Sequence, residues 1–357
     1  MLADRLERAR KAAGLSYREA GERVALSHTA ISRYEKSELT PSTEQLAKLA
    51  KAYGVRMDYF LRQHQVEEAS FQFRKRSRLS GGRLDTIKFK ILDLIERRLE
   101  LESFFPARQV AGQAEIAYLP YRIEHPEQIE GIAESVRAAW ALGLDPIPDL
   151  ADLLEARGFR VLAIDIGEEE KDLFDGLATR VGDEPVIVMG SHWPGDRQRF
   201  TLAHELGHAL LHGRLVADLD EEKACNHFAG AFLLPAVAIR ERLGPKRHQL
   251  ELRELLLLKQ EFGISMQGVA FRAQQSGIIT AEQSREIHVL FRKRGWHKVE
   301  PGEQLPPERI VRFEALVYHA LAEDFISESK AAELLGLPLP RFRQQRRMEV
   351  TDAAADQ

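Results

Sequence analysis

Cysteine is almost absent: Cys225 is the only one among 357 residues. A disulfide within the chain is therefore impossible, which excludes the small cross-linked secreted scaffolds and points to a reducing cytoplasm. Long apolar runs are missing too. Without roughly 20 consecutive apolar residues no helix is expected to cross a membrane, so no membrane partner is expected. The opening MLADRLERARKAAG reads as a charged helix, not a cleavable export signal. No internal repeat and no low-complexity tract is legible. An excess of one charge sign is also lacking, with 51 Lys/Arg against 55 Asp/Glu and a net charge of −4.

What is present is material for two or three packed domains, with 44% of residues apolar and 30% charged. The charge is unevenly spread. Through Arg62 there are twelve Lys/Arg against eight Asp/Glu; a head at +4 in a chain at −4 leaves the remainder at −8. A basic head on an acidic body hints at a polyanionic partner for the head.

Residues 1–62 read as five short helices. Leu2, Leu6 and Ala9 share one face of the first, which stops at Gly14. Ser16 and Glu19 have the spacing of a capping box opening the second, which turns Ala20 and Val24 inward. Ser27 caps the third, from His28 to about Lys36, anchored by Ile31; Pro41 and Ser42 open the fourth. Two short helices joined through Ala25-Leu26, the second with a polar outer face, fit a helix-turn-helix. The stretches SHTAISRYEKSELTPS and LAKLAKAYGVRMDYFL resemble the Xre/Cro-type DNA-binding domain. The resemblance implies that the third helix enters the major groove of a double-stranded operator. His28, Thr29, Ser32 and Arg33 would then face bases, and Lys36, Ser16 and Tyr17 phosphates. The bland alternative is a helical module that binds protein.

The segment FQFRKRSRLSGGR, Phe71 to Arg83, reads as a basic linker; Arg74, Lys75, Arg76 and Arg78 extend a phosphate-binding surface or are simply a solvated tether. Leu84 to Phe104 and Glu127 to Gly143 read as amphipathic helices, and a helix then passes through Gly158 into a strand, Phe159 to Ile166. Two further short strands flank a Gly-Asp turn in DGLATRVGDEPVIVMG; the later one, Val186 to Met189, is placed to pair with an extended substrate.

The chemistry lies in FTLAHELGHALLHG, Phe200 to Gly213. In a helix, residues four apart stand about 40° and about 6 Å from each other. His204 and His208 therefore reach one metal ion together, and Glu205 between them is placed to take a proton from the attacking water. Gly207 costs about 1 kcal/mol relative to alanine in a helix, so another segment is expected to pass close to it. A third ligand is offered by DEEKACNHFAGAFLLP, Asp220 to Pro235, whose inward stripe is Cys225, Phe228, Ala229, Phe232 and Leu233. Glu221 and Glu222 both fall at the edge of that stripe, and periodicity alone does not choose between them.

RQRFTLAHELGHALLHG followed by EEKACNHFAGAFLLP resembles the ImmA/IrrE family of zinc metallopeptidases, within the gluzincin group. In that group the metal glutamate stands three residues before an Ala-Asn or Ala-Asp pair; here the pair is Cys225-Asn226, which designates Glu222. The resemblance implies one Zn²⁺ per chain on His204, His208 and Glu222, with Glu205 catalytic. His212 reads as a helix-end cap or an oxyanion stabiliser, and His192 and His227 are weaker candidates. Cys225 reads as a small buried residue, with a soft ligand to zinc as the alternative.

Leu250 to Glu261 is a leucine-dense helix, and ISMQGVAFRAQQSGIIT and ISESKAAELLGLPLPRFRQ each have helix-turn-helix-like spacing. They read as helical scaffolding or a dimerisation region, with a second DNA-binding unit as the alternative, before a disordered TDAAADQ. The expected whole is a mostly helical α+β chain. It comprises a helix-turn-helix domain (1–62), a basic linker and amphipathic helix (63–120), a zincin-like metallopeptidase domain (121–245) and a helical C-terminal region (246–350). The leading expectation is a cytoplasmic, homodimeric transcriptional regulator whose zinc endopeptidase cleaves a repressor or other partner in a stress or mobile-element response. The alternatives are a pseudo-peptidase sensor that modulates DNA binding, and a plain repressor or antitoxin.

Overall fold

The computed structural model describes residues 2–62, 81–105, 122–167, 174–181 and 184–348. Most of the basic linker, the Gly182-Asp183 turn and the TDAAADQ end lie outside those residues. The helices of the first part are α1 (Leu2–Ala12), α2 (Tyr17–Val24), α3 (His28–Glu35), α4 (Thr43–Tyr53) and α5 (Gly81–Glu102). Then follow α6 (Gln128–Ala139), α7 (Leu150–Ala156), the strands β1 (Arg160–Ile164), β2 (Gly176–Val181) and β3 (Glu184–Gly190), α8 (Gly195–Leu211), α9 (Glu221–Leu233) and α10 (Ala236–Leu243). The last are α11 (Leu252–Phe262), α12 (Met266–Gln275), α13 (Ala281–Lys293), α14 (Val311–Ala322), α15 (Glu328–Leu334) and α16 (Leu339–Arg346). The chain is mostly helical with one small mixed sheet, and no helix among the described residues is long and apolar enough to cross a membrane.

The chain folds into two compact units. In the first, α1 to α4 and a 3-10 turn (Met57–Leu61) close on Leu6, Ala9, Leu15, Ala20, Ile31, Leu49 and Phe60. Ser16 and Ser42 cap α2 and α4 with full capping boxes, so the helix starts follow directly from the serine and glutamate or glutamine spacing. Inside this head Arg10 grips Glu35 with two hydrogen bonds, 2.7 and 2.8 Å, and donates a third to the Leu15 carbonyl. The buried guanidinium is thus satisfied locally, as a buried charge must be.

This unit is larger than the expected 1–62 domain. Arg5 on α1 pairs with Glu96 on α5 at 2.8 Å with both side chains buried, and Arg62 bridges Asp93 (2.6 Å) and Glu333 (2.7 Å). Leu101 at the end of α5 is buried with Leu316, Val317, Ala320, Ile326 and Phe342. The amphipathic helix expected beside the linker, and α14 to α16 from the expected C-terminal region, therefore belong to the unit of the head. Their apolar faces are covered there, which sequence periodicity shows as a need without naming the partner.

In the second unit the sheet order is β1-β3-β2, with β3 parallel to β1 and antiparallel to β2. This corrects the expectation that Val186 to Met189 pair with substrate. β3 is the central strand, its ladder groups are taken on both sides, and among the described residues the sheet edges belong to β1 and β2. The run Val186, Ile187, Val188 and Met189 is fully buried, as a continuous apolar central strand should be. Helix α8 lies against β2 and β3, and α9 packs against α8 and α6. The shared core holds Ile129, Ala133, Leu154, Val161, Ile187, Leu202, Leu206, Phe228 and Phe232. Helices α10 to α13 form a neighbouring core around Leu255, Phe262, Val269 and Phe291.

Candidate metal centre and nucleic-acid interface

Helix α8 carries the metal candidates because α9 crosses it closely, and Gly207 is the reason it can. A Cβ at Gly207 would stand 3.2 Å from Phe228 Cδ1 and 3.3 Å from Cys225 Cα. The expected close segment is therefore α9, and its approach brings Glu222 to the two histidines. Among the described residues, the Nε2 atoms of His204 and His208 are 3.0 Å apart. Glu222 Oε2 lies 3.4 Å from the first and 3.9 Å from the second.

That triangle can be tested against zinc. Ligands about 2.0–2.1 Å from a tetrahedral ion are separated by about 3.3 Å. The edges of 3.0, 3.4 and 3.9 Å bracket that value, so the three donors fit one ion without rearrangement. Two imidazoles and one carboxylate leave a fourth position open, the arrangement of a catalytic rather than a structural zinc. Glu222 is half exposed while His208 is fully buried, so the three donors lie at the border between the core and solvent.

Glu221 takes a different place. Its Oε1 accepts a hydrogen bond from His208 Nδ1 at 3.1 Å, on the ring edge away from Nε2, and lies 3.4 Å from His212 Nδ1. A carboxylate there fixes the tautomer that leaves Nε2 as the ligand. Cys225 Sγ is 2.9 Å from the same Nδ1 and is buried. The thiol therefore sits behind the ring and not among the three converging atoms, although His208, Glu221 and Cys225 form a second compact group of their own. His212 is the C-cap of α8. His227 pairs with Glu130 at 3.1 Å, and the His192 ring lies tilted against Trp193, so neither joins the triad.

Glu205 is buried on the sheet side of α8, where sequence had rotated it only aside from the histidines. Gly176 on β2 lies beside it: a Cβ there would collide with Thr201 Cγ2 and come within 2.7 Å of the Val188 carbonyl, and would make only an ordinary contact, 3.7 Å, with Glu205 Cγ. Gly176 and Thr201 were not singled out in the sequence. The only signal was Gly176 at the start of a strand pattern, which marks a close backbone approach.

In the head, α3 presents His28, Thr29, Arg33 and Lys36 as exposed residues and Ser32 as half-buried, while Ile31, Tyr34 and Glu35 turn into the core. Arg33 is 3.7 Å from Glu38, a loose pair that a guanine edge can replace. Tyr17 lies under the Arg10 guanidinium, 4.1 Å from the ring centre. Ser16 is committed to its capping box, accepting from Glu19 N and donating to Glu19 Oε2.

Comparison with known proteins agrees with this division. A helix-turn-helix domain model matches residues 1–58, and a model described as an IrrE N-terminal-like domain matches residues 154–274. The radiation response metalloprotease IrrE of Deinococcus radiodurans is 41% identical over 76 residues, covering 17% of this chain and 23% of that protein. Its namesake in Deinococcus deserti is 42% identical over 76 residues, 17% of this chain and 27% of its own. The HTH-type transcriptional regulator ImmR of Bacillus subtilis is 36% identical over 67 residues, 19% of this chain and 53% of its own. The chain thus spans about a quarter of each matched metalloprotease and about half of the matched regulator.

Proposed function

From a chain that joins an N-terminal helix-turn-helix domain to a domain of the ImmA/IrrE metallopeptidase family, we propose a DNA-binding transcriptional regulator that is also a zinc-dependent endopeptidase. Its substrate would be a protein, a repressor or another regulator. The observation that carries the reading is the convergence of His204 Nε2, His208 Nε2 and Glu222 Oε2 to within 3.9 Å, with Glu205 one residue from the first ligand.

Zinc bound there would polarise the scissile carbonyl and stabilise the charge that develops on its oxygen. The rest of the work falls to the chain. His204 and His208 would hold the ion from a single helical turn, and Glu222 would close the grip from α9. Glu221 keeps the His208 ring in the tautomer that binds. Glu205, as carboxylate, takes a proton from the attacking water and hands it to the departing amine, so one group serves as base and then as acid. Among the described residues the sheet edge beside α8 is that of β2, which supports pairing of an extended substrate there by strand addition.

The test pairs metal content with cleavage. Purified protein is expected to carry about one zinc per chain, lost in His204→Ala and His208→Ala and retained in Glu205→Gln. A proteome comparison of wild type and Glu205→Gln under DNA-damaging stress is expected to reveal a processed partner only in wild type. A protein without zinc removes the enzyme reading. Zinc with an unchanged proteome and an unchanged cellular phenotype in Glu205→Gln leaves the sensor reading in its place.

A further inference from the structure

The C-terminal helices of the first unit repeat the architecture of the head, at a constant offset of 311 residues that sets Ser327 against Ser16. Sequence inspection had found no internal repeat, and few identities survive to show one: Ala9 and Ala320, Ser16 and Ser327, Ala20 and Ala331, Glu22 and Glu333, Leu26 and Leu337. The structure makes the correspondence physical. Helix α14 answers to α1, α15 to α2 and α16 to α3. Five apolar positions are buried in both: Leu6 and Val317, Ala9 and Ala320, Leu15 and Ile326, Ala20 and Ala331, Ile31 and Phe342.

The caps and the turn match as well. Ser16 accepts a hydrogen bond from Glu19 N at 3.3 Å, and Ser327 accepts one from Lys330 N at 3.2 Å. After α2, Ala25 is left-handed (φ 57°) and Leu26 N donates to the Gly21 carbonyl at 2.9 Å. After α15, Gly336 is left-handed (φ 69°) and Leu337 N donates to the Ala332 carbonyl at 2.8 Å. The helices that follow, His28–Glu35 and Leu339–Arg346, are each 8 residues long. This is one turn geometry used twice, with no insertion between the first helix and the last.

The two modules differ where they would meet a partner. On α3 the last turn buries Tyr34 and Glu35, whereas the matching Gln345 and Arg346 on α16 are exposed. Helix α16 and the residue after it carry Arg341, Arg343, Arg346 and Arg347 with no acidic residue. Glu328 on α15 pairs with both Arg343, at 2.9 Å, and Arg346. Four guanidiniums gathered on one helix end, two of them paired with Glu328, suit a phosphate backbone.

We propose that α14 to α16 form a second helix-turn-helix that binds double-stranded DNA through α16. Arg343 and Gln344 occupy the places of Ser32 and Arg33 and meet base edges, arginine suiting guanine and glutamine adenine. Arg347 occupies the place of Lys36 and meets a phosphate. Arg62 pairs with Glu333 at 2.7 Å, and Arg56 donates to the Leu337 carbonyl at 3.3 Å, so the turn of the second module is tied to the end of the first. The protein would therefore read two sequence elements with one chain.

The test is selection of duplexes from a random-sequence pool by the full-length protein, by Arg33→Ala, and by the double variant Arg343→Ala with Gln344→Ala. Wild type is expected to select two elements. The double variant keeps the one that Arg33→Ala loses and loses the other, with at least a tenfold weaker affinity for the wild-type site. Arg347→Ala is expected to weaken binding to all duplexes alike and to lower the slope of log affinity against log salt by about one. All these positions but Gln344 are exposed, and an unchanged thermal unfolding curve checks that the unit stays folded. Selection of the same sequences with the same affinity by wild type and the double variant overturns the proposal, as does an unchanged salt slope in Arg347→Ala. An acidic protein as the true occupant of α16 would give that same null result. Arg33→Ala reports on the head alone, so a failure there is distinguishable from a failure here.

Discussion

Two adjacent glutamates on one helix stand at different places around the same histidine, and the roles proposed for them can be told apart by measurement. Glu222 Oε2 is the third corner of the candidate zinc triangle, whereas Glu221 Oε1 holds the far nitrogen of the His208 ring. Removing a direct ligand and removing the group that orients one have distinct costs. Glu222→Ala is expected to abolish stoichiometric zinc, and Glu221→Ala to weaken it by 10–100-fold, as loss of an orienting carboxylate typically does. Zinc titration against a competing chelator separates them. Equal losses would mean that the two carboxylates share the ion; the reverse order would assign Glu221 as the ligand. The choice was beyond periodicity, since both residues fall at the edge of the same stripe, and it is a rotation of about 100° around α9 that decides it.

At the scale of the element, the site depends on how closely α8 and α9 cross. Exchanging a mid-helix glycine for leucine ordinarily stabilises a helix by most of a kcal/mol. At Gly207 the sign should reverse, because even a Cβ would crowd Phe228 Cδ1 at 3.2 Å and the α9 backbone at Cys225 Cα. Gly207→Leu is expected to destabilise the protein by about 1–3 kcal/mol through overpacking and to release zinc by moving Glu222 from the histidines. Denaturant unfolding with and without zinc checks both. A stabilised variant would show that α9 does not pass where Glu222 needs it to. Gly176→Ala tests the other wall: its Cβ would meet the Val188 carbonyl and Thr201, so β2, β3 or α8 must shift. Activity should fall there with zinc retained, because the strain falls on Thr201 and β3 beside Glu205 and not on the triad.

At the scale of the whole molecule, what sequence revealed and what it hid follow from the range of the forces involved. Caps, turns and the His204, Glu205, His208 set are local patterns, so Ser16, Ser27 and the 3.6-residue spacing were enough to place them. The central position of β3 was not legible, because strand order is set by contacts between segments far apart in the chain. The same holds for Arg62 reaching Glu333 and for the repeat of the head in α14 to α16, where burial and backbone geometry persist after the side chains have diverged. Glu130 is a long-range contact of this kind, and it yields a pH signature for the second unit. It lies on α6, pairs with Arg272 on α12 (2.8 Å) and His227 on α9 (3.1 Å), and accepts from Ala236 N at the start of α10. Burial opposes its charge, but the hydrogen bonds and charges of His227 and Arg272 outweigh that and hold its carboxyl down at about 2, against an ordinary 4.5. A depressed folded-state pKa means the stabilisation is fully present above about 4.5 and drains away as the pH falls towards 2. The stability difference between wild type and Glu130→Gln should therefore shrink from about pH 4.5 downwards and reach its floor below about pH 2. Urea unfolding across that range measures it. A difference that does not change with pH would mean that Glu130 is held by shape alone and that its charge does not join α6, α9 and α12.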